Sequence, residues 1–130
     1  MEKKILLIED DLFIREMYES ELKRAGYKIT ACSLGEDGIK ALQKDRFDLV
    51  LLDIMLPGVN GLDILKQIKQ NPQTKDIRVV LLTNLGQETV MKTGFDLGAA
   101  GYLIKSSYSP DQVISEIANF LKDPTSYLES

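Results

Sequence analysis

Residues 48–58 are Asp48-Leu49-Val50-Leu51-Leu52-Asp53-Ile54-Met55-Leu56-Pro57-Gly58, in which four consecutive apolar residues run directly into a carboxylate and then a turn. An apolar run this short, closed by proline and glycine, is typical of a buried central strand of a parallel sheet rather than of a helix. Ligands of open α/β sheets bind outside the carboxyl ends of the strands, so Asp53 is a candidate site residue. An aspartate that only caps the following loop is the alternative, and spacing alone does not separate the two.

The composition is that of one ordinary globular domain. The chain has 130 residues, 44% of them hydrophobic and 28% charged, without a linker-like segment. We expect residues 1–123 to form the domain and residues 124–130 a C-terminal tail. The net charge of -4 comes without a basic cluster, which argues against direct nucleic-acid binding by this domain. No apolar run reaches the length of a membrane span or a signal-peptide core, so we expect a cytoplasmic protein with no membrane partner.

Two residue types limit the chemistry. The chain has one cysteine, Cys32, and no histidine. These counts exclude an internal disulfide, a multi-cysteine metal site, and hydrolysis by Ser-His-Asp or Cys-His groups. Oxygen atoms are the metal ligands that remain.

Three further apolar stretches also end on polar residues. They are residues 5–8, followed by Glu9 and Asp10, residues 79–82, followed by Thr83, and residues 101–104, followed by Lys105. Each has the pattern of a buried strand. Residues 27–31 instead alternate apolar and polar side chains, which is typical of a strand with one exposed face, and we place that strand at an edge of the sheet.

Helical spacing of apolar residues occurs between the predicted strands. The predicted helices cover residues 12–25, about 35–44, a segment from near Leu62 to before Asn71-Pro72, residues 87–97, and a segment that begins near Ser109-Pro110. Thr89, Thr93 and Gly94 make the fourth helix the weakest. The alternation predicts a doubly wound five-stranded parallel α/β sheet of flavodoxin-like order 2-1-3-4-5, with five flanking helices.

The polar residues that end four of these strands should meet at one edge of the sheet. Carboxylates as close as Glu9, Asp10 and Asp53 repel each other unless a cation neutralises them, and oxygen ligands without histidine favour Mg²⁺ over zinc. A divalent ion, the Thr83 hydroxyl and the Lys105 ammonium around one carboxylate suit the formation of an aspartyl-phosphate. Taken singly, Thr83 and Lys105 are better explained as a backbone-bonded hydroxyl and a solvated lysine, but the set favours a function.

The sequence resembles the receiver domains of two-component response regulators (CheY-like) over essentially its whole length. The resemblance rests on Ile5-Leu-Leu-Ile-Glu-Asp-Asp11, Leu49-Val-Leu-Leu-Asp-Ile-Met-Leu-Pro-Gly58 with Gly61, Leu81-Leu-Thr83 and Gly98-Ala-Ala-Gly-Tyr-Leu-Ile-Lys105. It implies that Asp53 is the phosphoacceptor and that Mg²⁺ or Mn²⁺ is the cofactor. It also implies that Asp10 and Asp53 are direct metal ligands, Glu9 a ligand through water, and the backbone carbonyl of Met55 a third protein ligand.

The same resemblance implies a switch and two kinds of partner. Thr83 and Lys105 would contact the phosphoryl group. Thr83 and Tyr102 would form the switch, in which Thr83 moves toward the phosphoryl group and the Tyr102 ring turns inward into the space that Thr83 leaves. A histidine kinase or a phosphotransfer protein would supply the phosphoryl group. A downstream protein, or a second copy of the chain, would bind the face formed by the fourth helix, the fifth strand and the fifth helix.

Two positions depart from the family's usual pattern. Ser106 follows the lysine where a proline in a cis bond is usual, so we expect a trans Lys105–Ser106 bond. Asn84 follows Thr83 where a small residue is common, and it would either narrow access to the phosphoryl group or hydrogen-bond to it.

The leading interpretation is a signalling switch. Such a protein catalyses only its own phosphorylation and dephosphorylation, and so is not an enzyme in the ordinary sense. The alternative is a phosphohydrolase of the haloacid dehalogenase type, which also uses a strand-end aspartate with Mg²⁺. That class needs a second aspartate two residues after the nucleophile as its acid and base, and position 55 is a methionine. The enzyme interpretation is therefore much the weaker one.

Overall fold

A computed structural model describes residues 2–122 of the chain. Its five main strands are β1 (Lys4–Ile8), β2 (Lys28–Cys32), β3 (Leu49–Leu52), β4 (Arg78–Thr83) and β5 (Gly101–Ile104). They form one parallel sheet of order β2-β1-β3-β4-β5. The predicted fold class and strand order are confirmed, and β2 lies at an edge as expected. The predicted tail, residues 124–130, lies outside the described residues.

Five helices cover the two faces of the sheet. They are α1 (Leu12–Arg24), α2 (Gly35–Lys44), α3 (Gly61–Gln70), α4 (Glu88–Asp96) and α5 (Pro110–Phe120). Alternate strand residues face opposite sides, so Leu6 and Leu52 pack in one core cluster with residues of α2 and α3. Ile5 and Leu51 pack in the other with residues of α1 and α5. Burial on both faces is the reason that β1 and β3 are continuous apolar runs.

Local features of the sequence determine the end of α1 and the start of α5, as predicted. Gly26 has φ of 101°, a backbone conformation that glycine adopts without strain, and it lies just past the end of α1. The side chain of Ser109 accepts a hydrogen bond from the backbone N–H of Gln112 and caps α5, with Pro110 as its first residue. The predicted start of the last helix is therefore confirmed.

Three features differ from the sequence prediction. Met17 is one of the apolar residues at helical spacing in the predicted helix over residues 12–25, which predicts burial, but it is 37% exposed, and Phe13 in the same helix is 82% exposed. An antiparallel hairpin follows β3, and its two strands, Met55–Leu56 and Val59–Asn60, have two residues each. A 3₁₀ turn, Lys105–Ser107, follows β5. Segments of two or three residues are too short to show a hydrophobic period, so hydrophobic patterning cannot predict them.

Within residues 2–122, none of the helices is both long enough and apolar enough to cross a bilayer.

Candidate functional site

The three predicted acidic residues lie together at the carboxyl ends of β1 and β3. Glu9, Asp10 and Asp53 each offer a carboxylate oxygen, and the three oxygens lie within 4.8 Å of one another. Glu9 and Asp53 are buried, with 2% and 6% of their surface exposed, whereas Asp10 is exposed. Two of the acids are therefore held in the protein, and the third faces solvent.

Backbone hydrogen bonds position these acids just beyond the strands. The N–H of Asp53 donates to the carbonyl of Ile8 over 3.1 Å, and that of Glu9 donates to the carbonyl of Cys32 over 3.0 Å. The sheet's hydrogen bonding thus continues for one residue past β1 and β3. Gly61 packs directly behind this point, because a Cβ atom there would lie 2.2 Å from the carbonyl oxygen of Asp53.

Each carboxylate oxygen of Asp53 has its own partner. Oδ1 accepts a hydrogen bond from the backbone N–H of Met55 over 3.1 Å, and Oδ2 accepts one from the Lys105 ammonium over 2.8 Å. The two oxygens are oriented by one backbone group and one charged side chain. The Met55 side chain itself is 59% exposed.

The Lys105 ammonium also donates to Oε1 of Glu9, so it bridges the two buried acids. Burial by itself lowers the pKa of Lys105, but the hydrogen bonds and charges of Asp53 and Glu9 outweigh it, and the pKa is raised. Burial also raises the pKa of Glu9, and the contact with Lys105 offsets part of that rise. Lys105 supplies the positive charge next to these acids.

The acidic residues fit a hard divalent ion. All three donors are carboxylate oxygens, which Mg²⁺ and Mn²⁺ prefer, and one donor is open to solvent so that water can complete the coordination. One ammonium beside three carboxylates leaves negative charge for an ion to neutralise. The Met55 carbonyl as a ligand, and the water-mediated role of Glu9, stay predictions.

Sequence reasoning missed Arg15. Its guanidinium donates to the backbone carbonyls of Glu9 over 3.0 Å and of Asp10 over 3.2 Å, and so ties α1 to the acidic loop. Only its position one helical turn after Asp11, the residue that caps α1, could have suggested this contact.

Thr83 and Tyr102, the predicted switch residues, lie on adjacent strands of the sheet. Thr83 is fully buried, and its Oγ1 accepts a hydrogen bond of 3.4 Å from the N–H of Leu85. The Tyr102 hydroxyl donates to the carbonyl of Leu85, and its ring lies 6.5 Å from that of Phe95. Burial raises the pKa of Tyr102. The ring thus already lies inward, whereas we expected it to turn inward only after Thr83 moves.

The two unusual positions contact each other. No cis peptide bond occurs between residues 2 and 122, so the Lys105–Ser106 bond is trans, as expected. The N–H of Ser106 donates to Oδ1 of Asn84 over 3.1 Å. The Asn84 carbonyl oxygen is therefore directed at the loop after β5.

Comparisons with known proteins match the chain to one family. The family model described as the response regulator receiver domain matches residues 5–118. The chain is 41% identical over 102 residues to the transcriptional activator protein PfeR of Pseudomonas aeruginosa, which covers 78% of this chain and 32% of that protein. The chain spans between 32% and 57% of the length of such curated relatives, whose names are those of transcriptional regulators rather than of enzymes.

Solved structures share the whole architecture. The chemotaxis response regulator CheY4 of Vibrio cholerae has a TM-score of 0.87 at 26% identity, over 93% of this chain and all of that one. The response regulator Rcp1, solved in an Mn²⁺-bound form, has a TM-score of 0.82 at 30% identity, over 94% of this chain and 96% of that one.

Proposed function

The chain belongs to the response regulator receiver domains, and from that membership we propose that it is a phosphorylation-dependent signalling switch whose phosphoacceptor is Asp53. The observation that carries the proposal is the environment of the Asp53 carboxylate. It lies at a strand end, 2.8 Å from the Lys105 ammonium and beside the carboxylates of Glu9 and Asp10. Among the acids of residues 2–122, these three form the one cluster suited to a metal ion.

The proposed reaction transfers one phosphoryl group. An Asp53 carboxylate oxygen attacks phosphorus in line, an O–P bond forms, and the bond from phosphorus to the donor's nitrogen or oxygen breaks. Lys105 offsets charge on the phosphoryl oxygens, and Thr83 donates its hydroxyl hydrogen to one of them. Asp10, Asp53, the Met55 carbonyl and, through water, Glu9 would hold Mg²⁺ or Mn²⁺, which would further neutralise that charge.

The partners are those that the family resemblance implies. The donor is a histidine kinase or a phosphotransfer protein, and the product is read by a downstream protein or a second copy of the chain on the face formed by α4, β5 and α5. Transcriptional control is the activity named for several relatives, and because the chain matches only part of their length, that output belongs to those proteins and not to this domain by itself.

Mass spectrometry of the intact protein tests the phosphoacceptor. After incubation with acetyl phosphate and Mg²⁺, we expect a mass increase of one phosphoryl group in the wild type, and none in Asp53→Ala or in the wild type with excess chelator. Asp63→Ala removes an exposed carboxylate in the first turn of α3 and is the matched control. Undiminished modification of Asp53→Ala would refute the proposal.

A turnover assay separates the switch from the phosphohydrolase. With a generic phosphate ester in large excess, the switch yields at most about one phosphoryl transfer per chain over the assay, whereas a phosphohydrolase gives many turnovers.

A further inference from the structure

A side chain extends the pairing of β4 and β5 beyond the ends of both strands. Thr83 and Ile104 are the last paired residues of the two strands. One residue after Thr83, the Asn84 carbonyl oxygen accepts a hydrogen bond of 3.1 Å from the N–H of Ser106, two residues after Ile104. The two loops that leave the sheet here are joined by this bond.

Lys105 lies between two residues whose backbones are held by hydrogen bonds. Ile104 on one side is held by the sheet, and Ser106 on the other is held by Asn84. The 3₁₀ turn begins at Lys105, and the Lys105 ammonium donates a hydrogen bond to Asp53. A serine at position 106 has none of the φ restriction of proline, so the path of this turn depends on hydrogen bonds.

We propose that Asn84 is a positioning residue that clamps Ser106 and thereby directs Lys105 at Asp53. Asn84 and Ser106 then act together, because their hydrogen bond needs both the Asn84 oxygen and a backbone N–H that proline lacks. Asn84 also follows Thr83 directly, so the clamp joins the two residues expected to contact the phosphoryl group. The inference deepens the proposed function and rests on it for its effect on phosphorylation.

Amide hydrogen exchange tests the clamp without any phosphodonor. In Asn84→Ala the Ser106 amide should exchange about three- to tenfold faster, as expected for loss of one hydrogen bond, whereas Asn84→Asp keeps an acceptor and should exchange as the wild type does. Ser107→Ala, one residue further along the turn, is the control. An unchanged Ser106 amide in Asn84→Ala overturns the clamp.

A double-mutant cycle tests the positioning of Lys105. Asn84→Ala and Ser106→Pro should each slow phosphorylation by acetyl phosphate at saturating Mg²⁺ and shift the NMR signal of the Lys105 ammonium. In the Ser106→Pro background, Asn84→Ala should add nothing further. A full additional effect there would show that Asn84 acts in another way, for example by orienting water, and would overturn the inference.

The two proposals fail separately. If the wild type takes up no phosphoryl group, the proposed function fails, and the Ser106 amide and the Lys105 ammonium signal still decide whether the clamp exists.

Discussion

The acidic end of β1 and β3 and the neighbouring region of β4, α4 and β5 are held in different ways. At the acidic end, Asp53 follows a fully buried strand, its backbone continues the sheet, and Gly61 packs against its carbonyl. In the second region, α4 has a single buried residue, Gly94, and its N-cap, Gln87, makes no side-chain capping bond.

This difference separates the chemistry from the response. A reacting carboxylate benefits from fixed geometry, and the burial and backbone bonds around Asp53 provide it. Regions with few buried apolar contacts and weak caps open at low free-energy cost, which suits an element that changes conformation. We therefore expect perturbations of the acidic end to cost stability and phosphorylation, and perturbations near α4 to change mainly the response.

The largest contrast should come from two alanine substitutions of glycine. The Cβ of Gly61→Ala would lie 2.2 Å from the backbone oxygen of Asp53, whereas that of Gly94→Ala would meet the end of the Leu81 side chain at 2.7 Å. Backbone cannot yield as a side chain can, so we expect a loss of about 3 kcal/mol for Gly61→Ala and about 0–1 kcal/mol for Gly94→Ala, where the gain in helix propensity offsets the overpacking. Urea unfolding measures both, and equal losses would remove the proposed difference between the regions.

The next effect concerns the charge balance at the acidic end. Lys105→Met removes the ammonium between Glu9 and Asp53 and should destabilise the metal-free protein by on the order of 2 kcal/mol. Saturating Mg²⁺ should then raise the melting temperature of the variant more than that of the wild type, because the ion replaces the lost charge.

Lys92→Met is the matched control for this experiment. Lys92 forms an exposed ion pair with Asp96 on α4, so its loss should leave the Mg²⁺ response unchanged. If Mg²⁺ stabilised Lys105→Met no more than the wild type, the ammonium and the ion would not share one site.

A smaller effect is expected on the lifetime of the phosphorylated state. By resemblance to the family, Met55 at the acidic end and Leu85 in the second region would line the approach of the hydrolytic water, and neither side chain can hydrogen-bond it. We therefore expect slow loss of the phosphoryl group, accelerated by about tenfold in Met55→Asn and in Leu85→Gln, since a placed polar group aids proton transfer.

Decay of the intact phosphorylated mass over time measures this lifetime. Leu34→Asn, an exposed apolar residue before α2, should decay as the wild type does. Loss of the phosphoryl group from the wild type within seconds would contradict the prediction.

The smallest effect is a redistribution of structure in the second region. Beryllofluoride with Mg²⁺ should shift amide NMR signals beyond the site, in α4 and β5, because new contacts of Thr83 alter the packing around Tyr102 and the Leu85 carbonyl that it contacts. Since the Tyr102 ring already lies inward, we expect a change in its hydrogen bond and in the position of α4 rather than a large rotation. Shifts confined to the loop after Asp53 would show that the second region does not respond.

The sequence alone was enough for the order of strands and helices. The apolar runs within β1, β3 and β4 indicated strands buried on both faces, and the alternation in β2 placed it at an edge. The same runs located Glu9, Asp53 and Thr83, and the short apolar stretch of β5 located Lys105, because the residue that ends a parallel strand emerges at a known edge of the sheet. These are local patterns, and hydrophobic periodicity reports them directly.

The partners of the polar side chains at the site were decided only by the tertiary structure. Glu9 and Lys105 are 96 positions apart, and nothing in either neighbourhood indicates that the ammonium bridges two acids. Three other features also depend on contacts that only the fold brings about: the bond between Asn84 and Ser106, the contacts of Arg15 and the inward ring of Tyr102. The packing of the strands and helices sets the distances between such distant residues, and hydrogen bonds form only at donor–acceptor distances up to about 3.5 Å, so a pattern along the chain cannot specify them.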